Sequence, residues 1–274
     1  MEGASGPGLW LAPSPSKRWC ECFFLLYSPT WMIWALLIIV PFKIYESCGK
    51  LGYMMIGCGT SVPCFLLPLL INPKVDREKP FTERFWVKAN VWIAIVSFIG
   101  NYFWTHYFYQ VLGASYSFPS WDLNEVPICL YIMTHAYFCF YHAFSNVLIR
   151  RVRHMFQSNS AKNISTAVVV FLNAYFVAFM ETLTISHFPY YSFVDRHKMY
   201  TVGSLFYAIY FFVSFPMFYR IEESPKDKKW SLWQVTLDSL AAGMLVTIIL
   251  DLWRLMFGPI VDVGHSTGSP VPWI

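Results

Sequence analysis

Residues 176–188, FVAFMETLTISHF, carry the only charged side chain between Lys162 and Asp195, the carboxyl of Glu181. A carboxyl taken out of water keeps its proton, because desolvation penalises the charged form. Such an acid can deliver a proton to a substrate carbon, and ionisable groups inside a membrane are functional by default. Other groups with acid–base or hydrogen-bonding capacity lie in apolar stretches: Asn101 and His106 within GNYFWTHYFY, His135, Tyr207 and Asp251. The chemistry on offer is proton transfer in an apolar setting.

The elements that must position these residues are dictated by composition. The chain has 274 residues, is 56% hydrophobic and 20% aromatic, and has only 13% charged residues, too few to cover a water-facing surface. Its apolar residues fall into seven blocks of about 20, at about 23–44, 52–71, 85–109, 128–148, 164–187, 201–219 and 235–257. That is the length an α-helix needs to cross a bilayer. The sequence therefore predicts an all-α, polytopic membrane helix bundle with about seven transmembrane helices. It forms a single integral membrane domain over 1–274, with a short polar segment at 1–22 and a tail at 259–274. Gly57, Gly59, Pro63 and Pro68 should kink the second helix. No cleavable leader is expected, and the first helix serves as targeting signal.

Lys and Arg residues set the orientation. The N-terminal segment and the loops after helices 2, 4 and 6 hold Lys17, Arg18, Lys74, Arg77, Lys79, Arg84, Arg150, Arg151, Arg153, Lys162, Arg220, Lys226, Lys228 and Lys229. The other side holds Lys43, Lys50, Arg196 and Lys198. The N-terminus is therefore expected in the cytoplasm, and the sequon at Asn163 should stay unglycosylated. The net charge of +4 calls for no nucleic acid, since these residues sit where anionic headgroups attract them. Seven cysteines lack disulfide or zinc spacing and read as packing residues, with Cys20 and Cys22 as sites open to acylation.

Alternating helix direction places Glu181 and Asp251 about two turns, roughly 10 Å, from the far ends of their helices. His135 lies at a similar depth, His106 nearer the surface, Asn101 somewhat deeper, and Tyr207 joins the layer. Ala174, Ala178, Glu181 and Thr184 share one helix face; so do Gly243, Thr247, Asp251 and Arg254. His135, Cys139, His142 and Asn146 form a polar stripe that should face neighbouring helices. Asp251 and Arg254 have the spacing of an intrahelical ion pair, a structural role, and Asp238 reads as a helix-terminal charge. The loops QVLGASYSFPSWDLNEVP and FPYYSFVDRHKMY are aromatic, either as an interfacial belt or as a lid over a lipid cavity. Neither GxGxxG nor a Walker loop occurs, and the histidines form neither HExxH nor a di-iron histidine box. No nucleotide cofactor, redox cofactor or metal is expected.

The segments GNYFWTHYFYQVLGASYSFPSW, METLTISHFPYYSFVDRHKMYTVGSLFYAIYFFVSFPMFYR and AAGMLVTIILDLWRLMFGPIV resemble the cycloeucalenol cycloisomerases, the cyclopropyl sterol isomerases of plants. The likeness runs from LWLAPSPSKRW to about Val261, leaving out 1–8 and 262–274. It implies an endoplasmic reticulum enzyme of phytosterol synthesis that opens the 9β,19-cyclopropane ring of cycloeucalenol to give obtusifoliol, without a redox cofactor. It implies a cyclopropyl sterol and the bilayer as partners; association with other enzymes of sterol synthesis stays open. The resemblance assigns no catalytic residue. On their own chemistry, Glu181 suits the proton donor, and His106 or His135 the group that receives or relays the departing proton. Asp251 completes the candidate catalytic set. Asn101, Tyr102, Phe103, Trp104, Trp121 and Tyr207 are candidates to contact the substrate and to stabilise a carbocation. The other readings are a lipid or sterol transporter or receptor, against which the lack of an inverted repeat counts, and a double-bond (Δ8-type) sterol isomerase.

Overall fold

A computed structural model describes residues 10–186 and 188–263. The outer parts of the expected N-terminal segment and C-terminal tail, and the last residue of the expected fifth span, lie outside the described residues. The helices are α1 (Pro15–Met32, continued by π-helical turns Ile33–Ile39), α2 (Lys50–Ser61), α3 (Pro63–Ile71) and α4 (Phe85–Ile99). Alpha4 runs through a π-helical turn, Gly100–Trp104, into α5 (Thr105–Leu112). Then come α6 (Ile128–Met155), α7 (Asn159–Thr184), α8 (Arg196–Lys198), a π-helical turn Met199–Gly203, α9 (Ser204–Tyr219) and α10 (Leu232–Phe257).

Among the described residues, four helical runs are long and apolar enough to cross a membrane: Pro15–Ile39, Asn159–Thr184, Arg196–Tyr219 and Leu232–Phe257. The pair α2 and α3, bent by 41°, makes a fifth if it counts as one span. The break falls at Pro63, the first residue of α3, while Pro68 sits inside α3, so one of the expected breakers ends the helix. Alpha1 also begins earlier than its apolar block suggests, so that Lys17 and Glu21 are helical and buried.

Alpha6 is the central helix, packed against α1, α2, α4, α7 and α9. This explains its polar stripe: His135, Cys139, His142 and Asn146 are all buried against those neighbours. His142 bridges the Phe138 carbonyl and the Ser214 hydroxyl at 2.8 and 2.9 Å. Residues that face lipid in a membrane, such as Leu172, Phe176, Met244 and Leu255, are exposed on α7 and α10.

At one end of the bundle the basic residues depart from expectation. Lys17 and Arg150 do not face headgroups; they and Lys88 are buried against Glu21, Glu222 and Glu223. Arg150 Nη2 reaches Glu21 and Glu223 at 2.9 Å each, Lys17 reaches Glu223 at 2.9 Å, and Lys88 reaches Glu222 at 2.6 Å. Asp238 is also more than a terminal charge, because Trp92 Nε1 donates to it at 2.9 Å and Arg220 pairs with it. Cys20 is buried, which leaves no room for an acyl chain there.

At the other end two aromatic loops meet. Strand β1 (Ala114–Tyr116) pairs antiparallel with β4 (Tyr191–Phe193), with Tyr116 opposite Tyr191. A hairpin of β2 (Asp122–Leu123) and β3 (Val126–Pro127) turns through Asn124 and Glu125, both at positive φ. Gly113 ends α5 at φ 60°, and a Cβ there would lie 2.5 Å from Val194 Cγ2. Gly113→Ala should therefore cost on the order of 1–3 kcal/mol locally. The expected result is faster amide exchange in 114–117 and 191–194 with α6 unaffected; unchanged exchange would refute it.

Candidate active site

A cavity beneath these loops is walled by α1, α2, the α4–α5 junction, α6, α7 and α9. Its surface is dominated by aromatic and aliphatic side chains, including Phe108, Tyr137, Phe138, Tyr207 and Tyr210. Tyr116, Phe118, Phe188 and Tyr191 of the two loops line its outer end, with Tyr116 and Tyr191 stacked at 4.5 Å. These loops thus cover a cavity.

Glu181 lines this cavity, and it is the one carboxyl among the described lining residues. Tyr141 Oη donates to its Oε2 and Tyr207 Oη to its Oε1, each at 2.9 Å. Alpha7 ends at Thr184, so Glu181 sits one turn from the helix end, shallower than the two turns expected. Helix geometry alone gave it no partner; α6 and α9 supply two hydroxyls. Each oxygen therefore has a donor ready to meet negative charge if the acid loses its proton.

The other expected residues divide. Asn101 and Tyr207 line the same cavity, and Asn101 is oriented by its Nδ2, which donates to the Ser97 carbonyl at 2.8 Å. The π-helical turn at Gly100–Trp104 brings this about, because the extra residue per turn rotates α5 about the helix axis relative to α4. Trp104 consequently turns to α10, where its Nε1 donates to Thr247 at 2.8 Å. Phe103 lies on a separate apolar groove between α4 and α10, and Tyr102 stacks on Phe98 at 5.7 Å. Trp121 is 47% exposed on the hairpin side of the loop.

Neither histidine lines the cavity. His135 bonds Asn90 Oδ1 at 2.8 Å and stacks on Phe65 at 4.7 Å. Asn90 Nδ2 donates to Cys64 and Trp86 carbonyls, which leaves Oδ1 to accept from a protonated His135 Nε2. His106 Nε2 lies 3.0 Å from Asn124 Nδ2, which also donates to the Tyr102 carbonyl at 2.8 Å. Asp251 pairs with Arg254 at 2.8 Å and accepts from Tyr107 Oη at 3.2 Å, on the α5–α10 side away from the cavity. The expected single layer of acids and bases is thus split among four environments, and one of them holds Glu181.

Residues that sequence reasoning missed include Thr134, Tyr137 and Tyr141. Together with Phe138 they recur at i, i+3, i+4 and i+7, a face beside the polar stripe of α6 that the sequence displays. Among the described residues no group of three His, Cys, Asp or Glu could hold a metal ion. The sequence does contain one Gly-x-Ser-x-Gly, from Gly264 to Gly268, and it lies outside the described residues.

A mostly helical chain with helices long and apolar enough to cross a membrane, around an aromatic cavity whose one described carboxyl is hydrogen-bonded, is the architecture of a membrane protein. A cycloeucalenol cycloisomerase from Arabidopsis thaliana is 51% identical over 278 residues, covering 100% of this chain and 99% of the relative. The chain belongs to the cycloeucalenol cycloisomerase family, a family of isomerases. No protein-family profile matches the chain, and no solved structure is similar to it.

Proposed function

We propose that this protein opens the 9β,19-cyclopropane ring of cycloeucalenol to give obtusifoliol, with Glu181 as the proton donor. The observation that carries the reading is the full-length identity to the Arabidopsis enzyme, and the hydrogen-bonded carboxyl in the aromatic cavity supplies the chemistry. Ring opening adds a proton to the C19 methylene, breaks the C9–C19 bond and leaves a tertiary cation at C9. Loss of the C8 proton then forms the C8–C9 double bond. Nothing is oxidised or reduced, so the reaction needs no redox partner. As Glu181 gives up its proton, Tyr141 and Tyr207 stabilise the developing carboxylate. Faces of Phe108 and Tyr210 stabilise the cation without competing as nucleophiles. Asn101, which lines the same cavity, is a polar contact for the sterol.

In this reading the chain crosses the endoplasmic reticulum membrane seven times as one domain. The spans are α1, the bent α2–α3 pair, α4–α5, α6, α7, α8–α9 and α10, with the N-terminus cytoplasmic. The Lys and Arg asymmetry of the loops supports that orientation. In sealed microsomes an N-terminal tag should be digested by added protease and Asn163 should stay unglycosylated; a protected tag would reverse the topology.

Expression in a sterol-auxotrophic yeast fed cycloeucalenol should yield the ring-opened isomer of equal mass, separated by chromatography. Recovery of unchanged cyclopropyl sterol from cells that contain the folded protein would refute the assignment. A transporter, a receptor or a double-bond isomerase is not favoured by the family to which the chain belongs.

A further inference from the structure

The reaction just proposed needs a base as well as an acid, and the described residues that line the cavity offer no second carboxyl and no imidazole. Among the described residues that line it, Glu181 is the one carboxyl and no histidine is present. His135 is engaged with Asn90, His106 with Asn124, and Asp251 with Arg254 and Tyr107, each outside the lining. We infer that Glu181 performs both halves of the reaction: it gives its proton to C19, and its carboxylate, held between Tyr141 and Tyr207, then takes the proton from C8. The inference rests on the reading of the chain as a ring-opening isomerase.

The balance closes on one residue. The acid's proton forms the new C19–H bond, and the C9–C19 electron pair becomes that bond's pair, leaving C9 cationic. The C8–H pair then becomes the second bond between C8 and C9, and its proton restores the acid. C8 is two bonds from C19 through C9, so both carbons come within reach of one carboxyl through a small displacement. No relay to water is required for the next turnover.

The two tyrosines acquire a specific task as positioning residues. A cation at C9 can lose a proton from C8 or from C11, giving a Δ8 or a Δ9(11) alkene. A carboxylate clamped through both oxygens by donors on two different helices, α6 and α9, is fixed in direction. With one clamp removed it can rotate toward C11. A distant histidine base would leave the alkene position indifferent to Tyr141 and Tyr207.

The test uses full-length protein in yeast microsomes with cycloeucalenol, reading total ring opening and the Δ8 to Δ9(11) ratio by gas chromatography and mass spectrometry. Tyr141→Phe and Tyr207→Phe should each lower turnover about 10-fold or more and bring a Δ9(11) product to about a tenth or more of the total. His106→Gln, His135→Gln and Asp251→Asn, checked for fold by monodisperse elution in detergent, should stay within about 10-fold of the parent and give Δ8 alone. Pure Δ8 product from both tyrosine variants overturns the clamp. A folded histidine or Asp251 variant that loses about 10²-fold or more of its turnover overturns the single-carboxyl mechanism. Failure of the underlying reading looks different, since the parent protein would then leave cycloeucalenol unchanged.

Discussion

Glu181→Gln should give a protein that folds and binds sterol but opens the ring at least about 10²-fold more slowly. The amide keeps the size of the side chain; its oxygen can accept from one of the Tyr141 and Tyr207 hydroxyls, and its NH2 faces the other, which can accept from it. The transferable proton is lost, so the effect falls on turnover and not on sterol affinity. Glu181→Asp should retain part of the activity, because the acid survives but its reach shortens by one methylene. Asp251→Asn is the control, since that carboxyl is tied to Arg254 and Tyr107 away from the cavity. A Glu181→Gln protein that turns over normally, beside a folded but inactive Asp251→Asn, would show that the wrong acid has been named.

Arg150→Met should destabilise the protein by about 3–5 kcal/mol, the cost of stranding a buried charge. Arg150 is fully buried and is the cation that contacts Glu21, a carboxylate 1% exposed on α1. Asn146 Nδ2 also donates to that carboxylate, at 2.8 Å, but a neutral amide does not balance its charge. Glu223 is less affected, because Lys17 remains 2.9 Å away. Adding Glu21→Gln to Arg150→Met should therefore recover much of the loss, a coupling that independent sites would not display. The measurement is thermal unfolding in detergent; an unchanged midpoint for Arg150→Met would refute the role of the cluster.

The same cluster gives stability a pH dependence. Burial pushes the Glu223 carboxyl up, but the hydrogen bond and charge of Arg150, with the charge of Lys17, outweigh it and hold the group below its ordinary value of 4.5. A carboxylate lowered in the folded state contributes stability that is present above its unfolded value and lost as pH falls through the folded one. Glu223→Gln should accordingly flatten the acid limb of the stability profile below about pH 4.5 while leaving the variant the less stable of the two proteins at neutral pH.

Much of this protein could be read before any tertiary structure was known. The low charge content and long apolar blocks point to membrane helices; of the seven blocks expected as spans, the described residues supply four helical runs long and apolar enough to cross a bilayer, or five with the bent pair. Pro63 marks the break in the bent pair because it lacks an N–H and clashes with the preceding turn. The stripe His135, Cys139, His142 and Asn146 had to face protein, because helical spacing puts it on one side and lipid cannot satisfy it. Glu181 identified itself as an acid without a charged neighbour in its own segment.

Tertiary structure decided which of the polar residues meet. Periodicity fixes a residue's direction about its own helix axis but not which neighbour lies there, and a π-helical turn changes even that direction. So Trp104 faces α10 while Asn101 enters the cavity, although both lie in the same short segment. Depth alone likewise grouped Glu181 with His135 and Asp251, whereas packing sends them to three environments. The tyrosines that hold Glu181 come from α6 and α9, and the partners of Lys17 and Arg150 lie far away in sequence. Pairings of that kind arise from how helices pack and from the cost of leaving a buried charge alone, and neither is written in the local pattern of residues.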